Sequence, residues 1–143
     1  MQGRINMNLK ENMKMGAGIM LVCKDKTLVL KRALYKKDRY AGYWNFPGGM
    51  AEEGETPYET ALREVFEETK IPAEEIMVVD HVSNKAYTMF IGVVKAEHIP
   101  ILDHEHTKYK WIDIESVPKI ENLHPKDEKC FSIFLSKSPN LKL

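Results

Sequence analysis

The sequence has no surplus of either charge and no long apolar run. Its 143 residues contain 21 Lys and Arg against 21 Asp and Glu, a formal net charge of zero. General binding to nucleic acid or to an anionic membrane surface depends on surplus Lys and Arg, so this balance argues against both. No stretch approaches the roughly 18 consecutive apolar residues of a membrane span. The sequence therefore predicts neither a membrane protein nor a general nucleic-acid binder.

Cysteines are few and lie far apart. Cys23 ends an apolar run and Cys130 falls in a predicted amphipathic helix. We expect both to be reduced thiols in or near the core, which favours a cytoplasmic location. Residues 1–14 lack the continuous apolar segment of a secretory signal and are interpreted as a poorly determined lead-in. Residues 15–143 contain no repeat or linker, so their length and 43% hydrophobic content predict a single domain.

A strong helix start stands in the middle of the chain. Thr56 is a good N-cap, Pro57 suits the first helical position, and Glu59 occupies the capping-box position. The predicted helix runs to about Lys70, because Pro72 pushes the residue before it out of helical geometry.

Other segments complete an α/β pattern. A second helix is predicted from Pro125 to Ser136. The WNFPGG segment, residues 44–49, is predicted as a loop whose two glycines serve unusual backbone angles. Five or so short β-prone runs predict a mixed β-sheet with helices on its faces. These runs cover residues 16–23, 27–33, 76–82, 86–96 and 109–113.

Three glutamates share one face of the first predicted helix. Positions i, i+3 and i+4 of a helix lie together, so Glu64, Glu67 and Glu68 project in one direction. A solvated acidic face would explain the same pattern, because like-charge helix pairs cost only about 0.2–0.5 kcal/mol each. The preceding Gly48 and Gly49 favour instead an oxygen-rich site for Mg²⁺ or Mn²⁺, which bind carboxylates and backbone carbonyls and serve phosphate chemistry.

The same segment resembles a known family signature. The pattern G49-x5-E55-x7-R63-E64-V65-x-E67-E68-x-K70-I71 is similar to the Nudix box, and the preceding WNFP resembles the W-x-x-P that often leads into it. One position departs, because Lys70 stands where the box has its final glycine. The glycine-assisted end of the helix is therefore in question, whereas the metal positions are intact. The resemblance implies the Nudix fold, a mixed β-sheet sandwiched between helices, over most of residues 16–136.

A competing glycine pattern is weaker. Gly49, Gly54 and Glu55 have the glycine spacing of a P-loop directly before a helix. Glu55 stands where a P-loop has its phosphate-binding lysine, and a carboxylate there would repel phosphate. The segment therefore argues against a P-loop NTPase.

The resemblance implies a Mg²⁺- or Mn²⁺-dependent pyrophosphohydrolase. Such an enzyme cleaves a phosphoanhydride bond in a nucleoside diphosphate linked to another group, as in dinucleoside polyphosphates, nucleoside triphosphates, nucleotide sugars or ADP-ribose. Its partner would be this small nucleotide, and the protein a monomer or homodimer. A Nudix-fold sensor that binds a nucleotide without hydrolysis is the alternative, which the complete glutamate set disfavours.

Carried onto this sequence, the resemblance also assigns site residues. Glu64, Glu67 and Glu68 become metal ligands, and Glu64 also helps to activate water. The Gly48 carbonyl is a further expected ligand. Arg63 belongs to the same catalytic group.

Arg63 has two interpretations from its position. It can hold a glutamate by a bidentate contact, or pair along the helix surface. The resemblance makes Glu55 a structural residue that receives Arg63.

A later loop is expected to supply another carboxylate. Glu105, shortly before Trp111, fits that placement, although an exposed loop acid would look the same. His104 and His106 flank it, but they lack partner ligands at the spacing that zinc sites use, so we expect both to be solvent-exposed.

Substrate contacts are less defined. Tyr40 and Tyr87 could stack on a base, and Arg39 could meet phosphate or ribose. Tyr87 lies near where family members acting on diadenosine polyphosphates tend to carry a tyrosine, and the proline associated with ADP-ribose hydrolases is missing there. This gives a slight preference for dinucleoside polyphosphates. A packed Tyr87 is the alternative.

Overall fold

The structure, a computed structural model, describes residues 15–138. The predicted lead-in, residues 1–14, lies outside this range. Within the described range, no helix has both the length and the apolar character needed to cross a membrane. The elements are β1 (Gly16–Cys23), β2 (Lys26–Arg32), β3 (Trp44–Asn45), β4 (Gly48–Met50), α1 (Pro57–Thr69), β5 (Met77–Asn84), β6 (Tyr87–Val93), β7 (His106–Asp113) and α2 (Pro125–Lys137), with 3₁₀ helices at Ala73–Glu75 and Ile114–Lys119.

A mixed seven-stranded sheet forms the centre of the described chain. Its order is β3-β2-β1-β6-β5, with β4 also paired to β1 and β7 to β2. Strand β1 runs parallel to β6 and antiparallel to β2 and β4. All eight residues of β1 are buried, as expected for a strand covered on both faces. The predicted mixed sheet sandwiched between helices is confirmed.

Alternation along β1 divides the core between the two helices. Successive side chains of a strand point to opposite faces. Accordingly Leu21 joins Ala61 and Val65 of α1 in one cluster, and Met20 joins Phe134 of α2 in the other. Both cysteines are buried and free, as predicted: Cys23 lies in the α1 cluster and Cys130 in the α2 cluster.

Helix α1 begins with the predicted capping box. The Thr56 hydroxyl accepts a hydrogen bond from the Glu59 backbone N–H at 3.1 Å, and the Glu59 carboxylate accepts one from the Thr56 N–H at 3.0 Å. At the other end Lys70 is the C-cap, with φ of 65° and its N–H donating to the Phe66 carbonyl. Lys70 therefore adopts the left-handed conformation that a glycine adopts more readily.

The two glycines of the WNFPGG segment serve a different purpose from the one predicted. Gly48 and Gly49 are in strand β4, and the glycines with positive φ among residues 15–138 are Gly42 and Gly54. A Cβ at Gly48 would lie 2.6 Å from the Gly18 Cα, and one at Gly49 would lie 2.4 Å from the Glu64 carboxyl carbon. The expectation of unusual backbone angles is wrong, because what this strand requires is the absence of side chains.

Replacing Lys70 with glycine should stabilise the protein. A residue with a Cβ in the left-handed conformation destabilises the folded state by about 1–2 kcal/mol. Glycine avoids this strain but loses more conformational entropy on folding, which costs about 0.5–1 kcal/mol. We therefore expect Lys70→Gly to raise the free energy of unfolding by about 0.5–1 kcal/mol in urea titrations. Lys70→Ala is the matched control, because it keeps the strained conformation and should give no gain. Equal stability of the glycine and alanine variants would contradict this account of the helix end.

Candidate active site

The acidic face of α1 lies against the glycine strand β4. Glu68 is buried, with 2% of its surface exposed. Its carboxylate accepts a hydrogen bond from the Gly48 backbone N–H at 3.0 Å. Glu64 lies over Gly49, where a side chain would overlap its carboxylate. The structure thus brings Gly48, Glu64 and Glu68 together, and the backbone of β4 fixes two of the three predicted acids.

Arg63 organises the exposed side of this group. Its Nε and Nη2 donate to both Glu55 carboxylate oxygens, at 2.7 and 3.0 Å. Its Nη1 donates to Glu64 at 3.0 Å and to Glu67 at 3.1 Å. The hydrogen bonds from Arg63 lower the pKa of Glu55 to about 2. Arg63 therefore makes the bidentate contact considered from the sequence, with Glu55 as its partner, and it also restrains two of the predicted metal ligands.

The interior of the site concentrates negative charge. Burial raises the pKa of Glu68 well above its usual range, and the adjacent carboxylates of Glu64 and Asp103 raise it further. Each of these effects opposes ionisation of Glu68. A divalent cation bound here would oppose this rise in the pKa of Glu68, because it favours the ionised form of every carboxylate around it.

Two residues that the sequence analysis did not assign to the site are Asp103, in the loop before β7, and His106, the first residue of β7. Ligand atoms of Glu68, Asp103 and His106 lie within 4.8 Å of one another. His106 Nδ1 is 2.8 Å from Asp103 Oδ1, and the side chain of His106 is 2% exposed. The expectation that His106 is solvent-exposed is wrong, because β7 begins three residues before the predicted strand and includes this position. His104 is exposed, as expected.

Glu105 is placed differently from Asp103. It is exposed and does not belong to the cluster of Glu68, Asp103 and His106. Its backbone N–H donates to Asp103 Oδ1 at 3.2 Å, and its carbonyl accepts from the Ala33 N–H. Metal ligation by Glu105 stays a prediction. The D-x-x-H spacing was the sequence signal available for Asp103, and it is too short and too common to identify a site.

The candidate substrate contacts lie in two places. Tyr87 is buried, and its hydroxyl lies where a Cβ on Gly18 or Gly48 would be, so it occupies the packed position considered as the alternative. Tyr40 is half-buried in the loop between β2 and β3, with its ring 4.2 Å from that of His124. Arg39 is exposed and lies over Tyr40, with its guanidinium carbon 5.5 Å from the ring centroid. Their roles toward substrate stay predictions.

A second polar group lies just before β4 along the chain, where the end of β3 meets α2. The Phe46 N–H donates to Asp127 Oδ2 at 3.1 Å, and Asn45 Nδ2 donates to the Phe46 carbonyl at 2.7 Å. Asn45 Oδ1 and Asp127 Oδ1 are buried without a hydrogen-bond partner. Burial raises the pKa of Asp127. Sequence reasoning missed both residues, because a single polar residue in an apolar strand or helix carries no distinguishing pattern.

The donor set of the acidic group suits a hard divalent cation. Glu64, Glu67, Glu68 and Asp103 offer carboxylate oxygens, and the buried Glu68 needs a nearby positive charge in order to ionise. Oxygen ligands of this kind favour Mg²⁺ and Mn²⁺. The residues present therefore fit the ion that the sequence predicts.

Comparison with known proteins establishes the family. The family model of the NUDIX domain matches residues 13–132. A Nudix hydrolase from M. smegmatis has a TM-score of 0.73 and 22% identity, covering 90% of this chain and 88% of that one. A C. elegans Ap4A hydrolase has a TM-score of 0.67 and 23% identity, covering 87% and 99%. The chain belongs to the Nudix hydrolase family, and the predicted family and fold are confirmed.

Curated relatives carry hydrolase names. The mouse oxidized purine nucleoside triphosphate hydrolase is 27% identical over 125 residues, which are 83% of this chain and 78% of that protein. A Nucleoside triphosphate pyrophosphatase/Nudix hydrolase fusion protein of Bifidobacterium longum is 39% identical over 85 residues, which are 54% of this chain. The chain spans only 17% of the length of that fusion protein.

The two glycines of β4 should respond differently to alanine. A Cβ at Gly48 would meet backbone atoms of β1, so Gly48→Ala should lower the free energy of unfolding by about 1–3 kcal/mol. A Cβ at Gly49 would meet the carboxylate of Glu64, the movable end of a side chain. We therefore expect Gly49→Ala to fold with nearly unchanged stability but to hydrolyse nucleotide at least about tenfold more slowly, since a small displacement in an active site can cost about 100-fold.

The route through Glu64 can be tested with a double variant. If Gly49→Ala acts by displacing Glu64, adding it to Glu64→Gln should cause little further loss. Rates of the two single variants and the double variant complete the cycle. Independent, multiplying losses would show that Gly49 acts on something other than Glu64.

Proposed function

We propose that this protein is a Mg²⁺- or Mn²⁺-dependent pyrophosphohydrolase of small nucleotides. One observation carries the proposal: a buried glutamate, Glu68, lies beside the carboxylates of Glu64 and Asp103 and is held by the Gly48 N–H. A fold that needed only a solvated acidic face would leave these groups in water, where repulsion is small. Bringing them together in the interior is costly unless a cation occupies the site during function.

The chemistry divides between the ion and the protein. A bound divalent ion would neutralise phosphate oxygens and lower the pKa of water. Arg63 holds Glu64 and Glu67 in fixed positions, so little reorganisation is needed when substrate binds. The Glu64 carboxylate accepts a proton from the attacking water. The resulting hydroxide adds to phosphorus, the bridging P–O bond of the phosphoanhydride breaks with its electron pair leaving on the bridging oxygen, and two phosphate-containing products leave.

Purine nucleoside triphosphates, including oxidised forms, are the substrates we favour within this class. One relative, matched over 83% of this chain and 78% of its own length, is named for oxidised purine nucleoside triphosphates. An 8-oxo-dGTP diphosphatase of Proteus vulgaris is 32% identical over 75 residues. The slight preference for dinucleoside polyphosphates depended on an accessible Tyr87, and this side chain is 8% exposed.

Substitution of the acids tests the reaction. Glu64→Gln and Glu67→Gln keep the shape of each side chain but remove its negative charge. We expect either variant to lower kcat for Mg²⁺-dependent release of nucleoside monophosphate and pyrophosphate by at least about 100-fold, comparable to the loss of one general base. Unchanged thermal unfolding would show that the fold is intact. Glu59→Gln, an exposed acid on the same helix, is the matched control.

The same assay separates the hydrolase from the sensor. Wild-type protein that binds nucleoside triphosphate tightly but forms no product on long incubation with Mg²⁺ or Mn²⁺ would support a binding module. Variants of Glu64 and Glu67 that turn over like the wild type would remove the proposed site.

We further propose that the group around Phe46 contacts the base. Buried polar atoms without partners are rare, and Asn45 Oδ1 and Asp127 Oδ1 are two acceptors attached to the same backbone residue. With Asp127 ionised, both oxygens accept, and together they complement a base edge that presents two donors. Guanine offers such an edge at N1–H and N2–H, whereas adenine offers an acceptor at N1.

An Asp127→Asn variant tests the base contact. Its amide oxygen can still accept from the Phe46 N–H, while the second atom changes from an acceptor to a donor. We expect the ratio of kcat/KM for guanine over adenine triphosphates to fall at least about tenfold, since a good bidentate base contact is worth about 1–3 kcal/mol. Glu128→Gln, an exposed neighbour on α2, is the control. An unchanged ratio would place base recognition elsewhere.

A further inference from the structure

We propose that His106 is a positioning residue that aims Asp103 at the metal-binding acids. The inference rests on the proposed function, because it assumes that Glu68 and its neighbours hold a divalent ion. It adds that one ligand comes from the loop before β7 and that a buried histidine sets the direction of this ligand. Asp103 is then a ligand and His106 acts through it.

The hydrogen bonds around Asp103 all converge on one oxygen. His106 Nδ1 lies 2.8 Å from Asp103 Oδ1, and the Glu105 backbone N–H donates to the same oxygen at 3.2 Å. Within residues 15–138, no hydrogen bond of the protein uses Asp103 Oδ2. Restraint on one oxygen fixes the rotation of the carboxylate and leaves the other oxygen for a ligand.

The tautomer of His106 follows from its surroundings. Because Asp103 Oδ1 already accepts from a backbone N–H, it is an acceptor toward the ring, so Nδ1 carries the proton. His106 Nε2 is buried and has no hydrogen-bond partner. The ring therefore donates to Asp103 through Nδ1, and a hydrogen bond of this kind to a ligating carboxylate fixes its orientation.

An irregularity in the β2–β7 pairing turns the His106 side chain toward the interior. His106 pairs with Arg32, and the register of the β2–β7 ladder shifts between Lys31 and Arg32. An irregularity of this kind redirects a side chain at the end of a ladder. The neighbouring Thr107 and Lys108 are exposed, whereas His106 is buried against the site.

Binding of Mn²⁺ to the full-length protein without nucleotide gives a direct test. Electron paramagnetic resonance of free Mn²⁺ would give dissociation constants for the wild type and for Asp103→Asn, His106→Leu and His106→Asn. We expect the first two variants to bind Mn²⁺ at least about tenfold more weakly, as is typical for loss of a ligand or of its outer-shell partner. His106→Asn should stay within about threefold of the wild type, since its amide N–H replaces the Nδ1 donor.

His104→Leu is the matched control. His104 precedes His106 by two residues but is exposed, so the same substitution there should leave the dissociation constant unchanged. Thermal unfolding of every variant separates a lost donor from a lost fold. Should His106→Leu fail to fold, His106→Phe, which keeps an aromatic ring but has no ring N–H, takes its place with the same expected loss.

Three results would overturn the inference. Wild-type affinity in a folded His106→Leu would show that His106 does not position Asp103. Wild-type affinity in Asp103→Asn would show that Asp103 is not a ligand. A folded His106→Asn that binds Mn²⁺ at least tenfold more weakly than the wild type would show that the ring, rather than its donor, is needed. Glu67→Gln in the same titration keeps the two proposals apart. If it also leaves Mn²⁺ affinity unchanged, the acidic site itself is refuted, and otherwise only the role of His106 is.

Discussion

The contact between the buried Glu68 carboxylate and the Gly48 N–H is the constraint on which the site depends. It ties the last turn of α1 to strand β4 and places a carboxylate where burial and neighbouring acids oppose its ionisation. A single backbone donor does not offset the burial of a charge, so the arrangement is unfavourable by itself. The rest of the fold, packed on both faces of β1, supplies the stability that holds it in place. Burying a carboxylate beside other acids, at a cost in stability, is typical of functional sites that bind a ligand.

Two features keep this acidic group open and ordered. The glycines of β4 leave space for the Glu64 carboxylate and for the close approach of β4 to β1. Arg63 then binds all three acids from the solvent side with one planar guanidinium: Nε and Nη2 donate to Glu55, and Nη1 donates to Glu64 and Glu67. A lysine could not make these contacts simultaneously in fixed directions, because it is a point charge on a flexible stem. The half-buried Glu55–Arg63 pair therefore contributes geometry to the site, while its remaining contact with solvent limits its contribution to stability.

Local patterns in the sequence predicted the parts of this site that lie on one helix. The capping residues, the helical spacing of the glutamates and the Glu55–Arg63 separation are all short-range, so the sequence alone predicts α1 and its acidic face. The contributions of Asp103 and His106 depend on the register between β2 and β7, which no short pattern specifies. The role of Gly48 and Gly49 was predicted wrongly for the same reason. Glycine is needed there because Gly18 and Glu64 lie against these positions, and this contact exists only in the folded chain. At Lys70, by contrast, the short-range pattern raised a doubt that the structure removes. The helix ends at this position although lysine replaces the glycine of the box.

The segment from Phe46 to Gly48 connects the two polar groups of the molecule. The Phe46 N–H binds Asp127, and two residues later the Gly48 N–H binds Glu68, so one short stretch of backbone sets the distance between them. Pro47 stiffens the link because its ring fixes one backbone angle. If phosphate binds near Gly48 and a base binds near Phe46, the backbone of this segment sets the distance between the two binding positions, and therefore the length of substrate that fits. Tyr87, buried beside Gly48 and under the electrostatic influence of both Asp127 and Glu68, lies between the two ends.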